Sequence, residues 1–133
     1  MVGLVIASHG QLADALVSTA RLIVGELAGV STCRVEPGAS SEDIQQHIRQ
    51  AIRSVDEGDG VIVFADIVGG SPCTQSLTLC RKQKLEVVTG VNLPMLLKAA
   101  SLRTAGLPLE ELAHQLVQYG QRNITCATDV LRR

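Results

Sequence analysis

The sequence predicts one α/β domain over residues 1–133, doubly wound, with a mainly parallel four-stranded sheet of order 2-1-3-4 and helices on both faces. Three observations carry this prediction. Short apolar runs alternate along the chain with longer segments of helical periodicity, the pattern of βαβ units. The runs are continuous instead of alternating with polar residues, which suits strands covered on both faces of a parallel sheet. Start signals stand ahead of several helical segments and mark where each begins.

Val2 to Ala7 is the first strand. Leu12, Leu16, Ala20, Ile23 and Leu27 recur at helical spacing and form the expected buried stripe of the first helix. Thr32 to Val35 reads as the second strand in chain order. Ser40 with Asp43 three residues on resembles a capping box, and Ile44, Ile48, Ala51, Ile52 and Val55 line one face of the helix that follows. Gly60 to Ala65 is the third strand. Ser71 then stands as an N-cap with Pro72 at the first helical position, and Cys73, Leu77 and Cys80 fall at i, i+4 and i+7 of a buried face.

Leu85 to Val88 is a weaker fourth strand, and Asn92 caps a helix that begins near Leu93. Pro108 with Glu110 and Glu111 opens the last long helix, where negative charge favours the N-terminal end of the dipole. Its apolar stripe is Leu109, Leu112, Ala113, Leu116 and Val117. The tail from Asn123 to Arg133 carries the β-branched residues Ile124, Thr125, Thr128 and Val130, and is expected to finish as a strand on an edge of the sheet.

Composition narrows the function classes. Hydrophobic residues make up 46% of the chain, yet no apolar run approaches the roughly 18 to 20 residues that cross a bilayer. Met1 to Ala7 has no basic segment of the kind that begins a signal peptide, so a cytoplasmic protein is expected. Twelve Lys and Arg against 13 Asp and Glu give a net charge of -1, which speaks against a nucleic-acid partner. Cys33, Cys73, Cys80 and Cys126 form no C-x-x-C pair and no zinc-finger spacing, and fit core thiols in a reducing compartment. There is neither a P-loop nor an obvious acidic cluster for magnesium, so no cofactor and no metal site are expected.

In a doubly wound sheet, ligands gather outside the carboxyl ends of the strands where the strand order reverses. That rim receives Ser8-His9-Gly10 from the first strand and Asp66-Ile67-Val68-Gly69-Gly70-Ser71-Pro72 from the third. A carboxylate beside an imidazole accepts the Nδ1 proton and leaves Nε2 as a free lone pair. Asp66 would therefore orient His9 and stabilise the positive charge that the ring gains as Nε2 bonds to phosphorus, giving a tele-phosphohistidine. Gly69 and Gly70 allow close backbone approach to a phosphoryl group, and Ser71 at the start of a helix adds a hydroxyl donor. His47 and His114 lie on helices away from the strand ends and are read as structural or solvated.

Three segments taken together, Ser8-His9-Gly10-x-Leu12-Ala13, Asp66-x-x-Gly69-Gly70-Ser71-Pro72 and Gly90-Val91-Asn92-Leu93-Pro94-Met95-Leu96, resemble the mannose-family enzyme IIA of the bacterial phosphoenolpyruvate-dependent sugar phosphotransferase system. The resemblance implies a phosphotransferase that accepts a phosphoryl group from phospho-HPr on His9 and passes it to a histidine of a IIB protein or domain. It also implies Gly10 beside the phosphoryl group, Asn92 one layer behind it, and a homodimer that exchanges its C-terminal strand. Any membrane association would be peripheral, through a partner permease. Ile67 and Val68 stand where sugar-transporting members carry a Thr and a large aromatic residue. With no fused IIB domain before Arg133, the resemblance leaves a separate transport subunit or a regulatory phosphorelay that moves no sugar.

Two rival readings are weaker. A tetrapyrrole metal chelatase also opens on an apolar strand followed by His-Gly, but it needs a second His at the metal, and neither His47 nor His114 lies at a strand end. A histidine phosphatase would want an Arg before His9, where Ser8 stands.

Overall fold

The computed structural model describes residues 1–81 and 83–132. The elements follow in the order β1 (Gly3–His9), α1 (Leu12–Val24), β2 (Val30–Val35), α2 (Ser41–Val55), β3 (Val61–Ala65), α3 (Ser71–Leu77), β4 (Leu85–Val88), α4 (Leu93–Leu102) and α5 (Leu109–Arg122). The four strands are parallel and ordered β2-β1-β3-β4, as the sequence predicts. The switch in order lies between β1 and β3, which pair with Ala7 opposite Ala65. That register sends Ser8-His9 and Asp66 out of the sheet side by side.

Successive strand residues enter opposite cores. Leu4, Ile6, Ile62 and Phe64 pack with α1, α4 and α5 on one face. Val5, Ala7, Val61 and Val63 pack with α2 and α3 on the other. Both faces of β1 and β3 are thus dry, which is why their sequences are continuously apolar. No helix of the described residues is long and apolar enough to cross a membrane.

The expected stripes of α2 and α5 are found, with Ile44, Ile48, Ala51, Ile52 and Val55 buried in the first and Leu109, Leu112, Ala113 and Leu116 in the second. Ser40 Oγ accepts the amide of Asp43 at 3.1 Å, and Asn92 Oδ1 accepts that of Met95 at 3.0 Å, so both caps form.

Helix α1 meets expectation at Ala20, which is buried, and at Leu16, which packs against the core, and departs from it elsewhere. It buries Ala13, Val17 and Ala20, while Leu12 is 46% and Ile23 58% exposed, and Leu27 lies beyond its end. The segment carries two apolar stripes, and periodicity cannot choose between them. The stripe with the smaller side chains lies toward the sheet, and the amide of Ala13 is fixed to Ser8 Oγ at 2.7 Å. In α3 the cap is Gly70 and Ser71 is the first helical residue, with no side-chain cap bond. The helix buries Pro72, Cys73 and Ser76, while Leu77, its last residue, is exposed and Cys80 beyond its end is half-buried against the core.

The tail after Asn123 also differs. Ala127 to Arg132 forms an exposed 3₁₀ turn, and Arg133 lies outside the described residues. Ladder hydrogen bonds are what make β-branched residues into a strand, and this segment makes none to the sheet of its own chain. Cys33 and Cys73 are buried, and desolvation pushes the Cys33 thiol up to about 11. Cys126 is exposed on the tail, outside the core role expected of the thiols.

Candidate functional site

His9 is the last residue of β1 and Asp66 the first after β3. One oxygen of Asp66, Oδ2, accepts both the backbone amide of His9 at 3.0 Å and its ring Nδ1 at 2.8 Å. The other, Oδ1, accepts the amide of Ile67 at 3.0 Å. A single carboxylate therefore fixes the backbone and the ring of the same histidine. The His9 side chain is 48% exposed and that of Asp66 only 11%, so the ring stands out of the rim on a mostly covered acid.

Desolvation by itself raises the pKa of Asp66, but the His9 amide, the His9 ring and the Ile67 amide outweigh it and hold the carboxyl below its ordinary value. An ionised carboxylate can only accept a hydrogen bond. The proton between the two residues therefore belongs to Nδ1, so that in the neutral ring the lone pair belongs to Nε2.

Local sequence builds this geometry. Gly10, with φ +55°, turns the chain sharply after His9, a conformation that costs a residue with a Cβ but not glycine. Across that turn the fully buried Ser8 hydroxyl accepts the amide of Ala13, serving the N-terminus of α1 where the N-cap residue Gln11 does not. Gly69, at φ +80°, turns the second loop toward α3. Gly70 lies directly beside the ring, and Ser71 is exposed at the first position of the helix.

The sequence-predicted residues divide into those the rim joins and those it does not. His9 and Asp66 are in contact, and Gly70 is against His9. Asn92 spends its side chain elsewhere, with Nδ2 donating to Gly120 O at 3.1 Å and Oδ1 capping α4. Its loop reaches the rim through the backbone, where Val91 N donates to Ala65 O at 3.2 Å. His47 is exposed beside a groove of about 370 Å³ with Ser31, Cys33 and Ser54, and His114 is exposed near Pro108, Glu110 and Glu111. Among the described residues, no group of three His, Cys, Asp or Glu side chains is placed to hold a metal ion.

Sequence reasoning missed two contributors. The Ser8 hydroxyl was legible as a serine shortly before a helix, a common source of caps. The amide of Ile67 carried no signal, since any residue but proline supplies it.

Residues 3–117 match the family model EIIA-man, described as the PTS system fructose IIA component. The chain belongs to this enzyme IIA family. Among mannose-family relatives, it is 30% identical over 124 residues to the mannose-specific EIIAB component of Escherichia coli K12, covering 92% of this chain but 38% of that protein. It thus spans well under half the length of that relative. It is 28% identical to the fructose-specific EIIA component of Bacillus subtilis, covering 100% of this chain and 91% of that one.

Two solved EIIA structures share the fold. A phosphotransferase system EIIA from Streptococcus agalactiae superposes with a TM-score of 0.88 at 25% identity, covering 97% of this chain and 99% of that one. A mannose/sorbose-specific IIA subunit from Enterococcus faecalis gives 0.83 at 28% identity, covering 94% and 93%.

Proposed function

We propose that this EIIA-family chain is a cytoplasmic histidine phosphoryl carrier that takes a phosphoryl group from phospho-HPr on His9 and gives it to a histidine of a IIB component. The observation that carries the reading is the 2.8 Å contact between His9 Nδ1 and an ionised Asp66 at an exposed rim. In the neutral ring it puts the lone pair on Nε2, on a side chain accessible to another protein.

The transfer needs no cofactor. The Nε2 lone pair forms the new N–P bond as the N–P bond of the donor phosphohistidine breaks, and that electron pair returns to the donor ring. The His9 ring gains positive charge while keeping its Nδ1 proton. Asp66 offsets that charge from a fixed position, so little reorganisation accompanies the step. The backbone at Gly10, Gly69 and Gly70, with the Ser71 hydroxyl, is the proposed cradle for the phosphoryl oxygens. Asn92 acts at one remove, by holding the loop before α4 between the rim and α5. The exposed apolar side chains of Leu12, Ile67, Val68 and Leu77 flank the two loops and the helices that begin at the rim, and offer partner proteins a surface to bury. In this reading the chain works as a homodimer.

The test is incubation with phosphoenolpyruvate, enzyme I and HPr, followed by intact-mass measurement on wild type and on His9→Ala. One acid-labile phosphoryl group on wild type and none on the variant is the expected result. Equal labelling of the variant would remove His9 from the mechanism.

A further inference from the structure

We propose that Gly70 is a positioning residue that sets the plane of the His9 imidazole, letting the Cε1 edge of the ring lie against its bare Cα while Asp66 holds Nδ1. This rests on His9 being the phosphoryl acceptor. A Cβ added to Gly70 would stand 2.8 Å from His9 Cε1, closer than such atoms approach, with Ile67 Cγ1 next at 3.1 Å. The backbone itself makes no demand for glycine. Gly70 has φ −77° and ψ 165°, an extended conformation open to any L-residue, and caps α3 without a side-chain bond. Gly69 is the contrasting case, with φ +80° and nothing within 4 Å of an added Cβ. Torsion calls for glycine at 69, and contact with the ring calls for it at 70.

The two neighbours of that missing methyl group would respond differently. Ile67 is exposed, and its free end can swing away. The His9 ring is tied through its own amide and through Nδ1 to the same oxygen of Asp66. Cε1 is the carbon between Nδ1 and Nε2, so pressure on it turns both nitrogens together. Nδ1 leaves the carboxylate, and Nε2 leaves the line on which a phosphoryl donor must approach. The space left at Gly70 thus acts on the nucleophile, in addition to any use of its backbone by the phosphoryl group.

Gly70→Ala in the full chain tests this with three measurements. In nitrogen-detected NMR, the His9 ring signals should move from the wild-type Nδ1–H pattern. Phosphoryl acceptance from phospho-HPr should fall roughly 10- to 100-fold, in kcat more than in KM. The drop in thermal midpoint caused by Gly70→Ala should shrink when it is made in a His9→Ala background, because the clashing ring is then gone. Unchanged ring signals together with an unchanged transfer rate would overturn the proposal, as would an equal thermal cost with and without the ring. Where Gly70→Ala alone does not fold, a folded His9→Ala/Gly70→Ala chain supports the proposal and an unfolded one overturns it. Should wild type accept no phosphoryl group, the acceptor reading fails, while the ring signals and the thermal coupling still decide the role of Gly70.

Discussion

The two ends of the sheet each rest a nitrogen-rich side chain on a glycine, and they do so for opposite purposes. At the carboxyl end, His9 lies against Gly70, held on one side by Asp66 and open to solvent on the other. At the amino end, Arg103 follows α4 and is 5% exposed, with its Nη2 lying 2.7 Å from where a Cβ on Gly29 would be. Its guanidinium donates to the carbonyl of Val2 at 2.9 and 2.7 Å, to Ala28 at 2.5 Å and to Gly29 at 2.9 Å. Burial lowers the Arg103 pKa against a smaller opposing effect of Glu57. Carbonyl dipoles stand in for a carboxylate, and these bonds tie α4 to the start of β1 and to the turn before β2.

The difference lies in what is left unpaired. Arg103 donates to three carbonyls on two backbone segments, Val2 and Ala28–Gly29, so it belongs to stability. His9 has one nitrogen committed and the other exposed, and in the proposed reading it belongs to chemistry. The amino end is tied by hydrogen bonds, while the carboxyl end carries an exposed ring, two glycine turns and uncovered apolar side chains.

Several changes would break or sharpen this contrast. The largest effect is expected from His9→Ala, which should abolish labelling while costing no more than about 1 kcal/mol for the lost bond to Asp66. Urea unfolding beside the mass assay checks both halves. Arg103→Met should reverse the pattern, costing about 2 kcal/mol by removing the donors to Val2, Ala28 and Gly29 while leaving the transfer rate per folded molecule unchanged. An Arg103→Met chain slow in transfer yet as stable as wild type would dissolve the division between the ends.

Asp66→Asn comes next, with transfer slowed on the order of 100-fold by loss of a fixed charge at the reacting ring, measured by rapid-quench labelling. The pH dependence has a definite sign. Because the folded pKa of Asp66 is depressed, its contribution to stability is complete above the unfolded carboxyl value of about 3.9 and is lost as pH falls through the lower folded value. Acid unfolding of Asp66→Asn should lack that increment. Ser8→Ala should cost about 1 kcal/mol by removing the bond to Ala13, read from thermal unfolding. The smallest effect is expected from Val68→Ser, a severalfold rise in KM for phospho-HPr with no change in stability, since the side chain is exposed and free for a partner to cover.

Much of this architecture was legible before any coordinates. Strands buried on both faces leave a continuous apolar signature, and α2 and α5 show one apolar stripe each, so periodicity found their buried residues. In α1, whose two stripes are equally helical, it found Ala20 and the half-buried Leu16 but missed Ala13 and Val17. It failed for Leu77, the last residue of α3, which is exposed although Cys73 one turn before it is buried. The β-branched tail misled in the same way, since strand formation needs a partner edge that local composition does not supply.

By itself the sequence determined the strand and helix order, and it set a histidine, an aspartate and a glycine loop after the two strands that meet at the rim. Those are properties of short segments, fixed by burial period and turn chemistry. Only the tertiary structure decided that one oxygen of Asp66 takes both the amide and the ring of His9, that Ser8 anchors α1, and that the glycine at 70 answers to a ring 61 positions away in the chain. Such contacts join segments far apart in sequence. Their geometry follows from the register of β1 against β3, which no single segment contains.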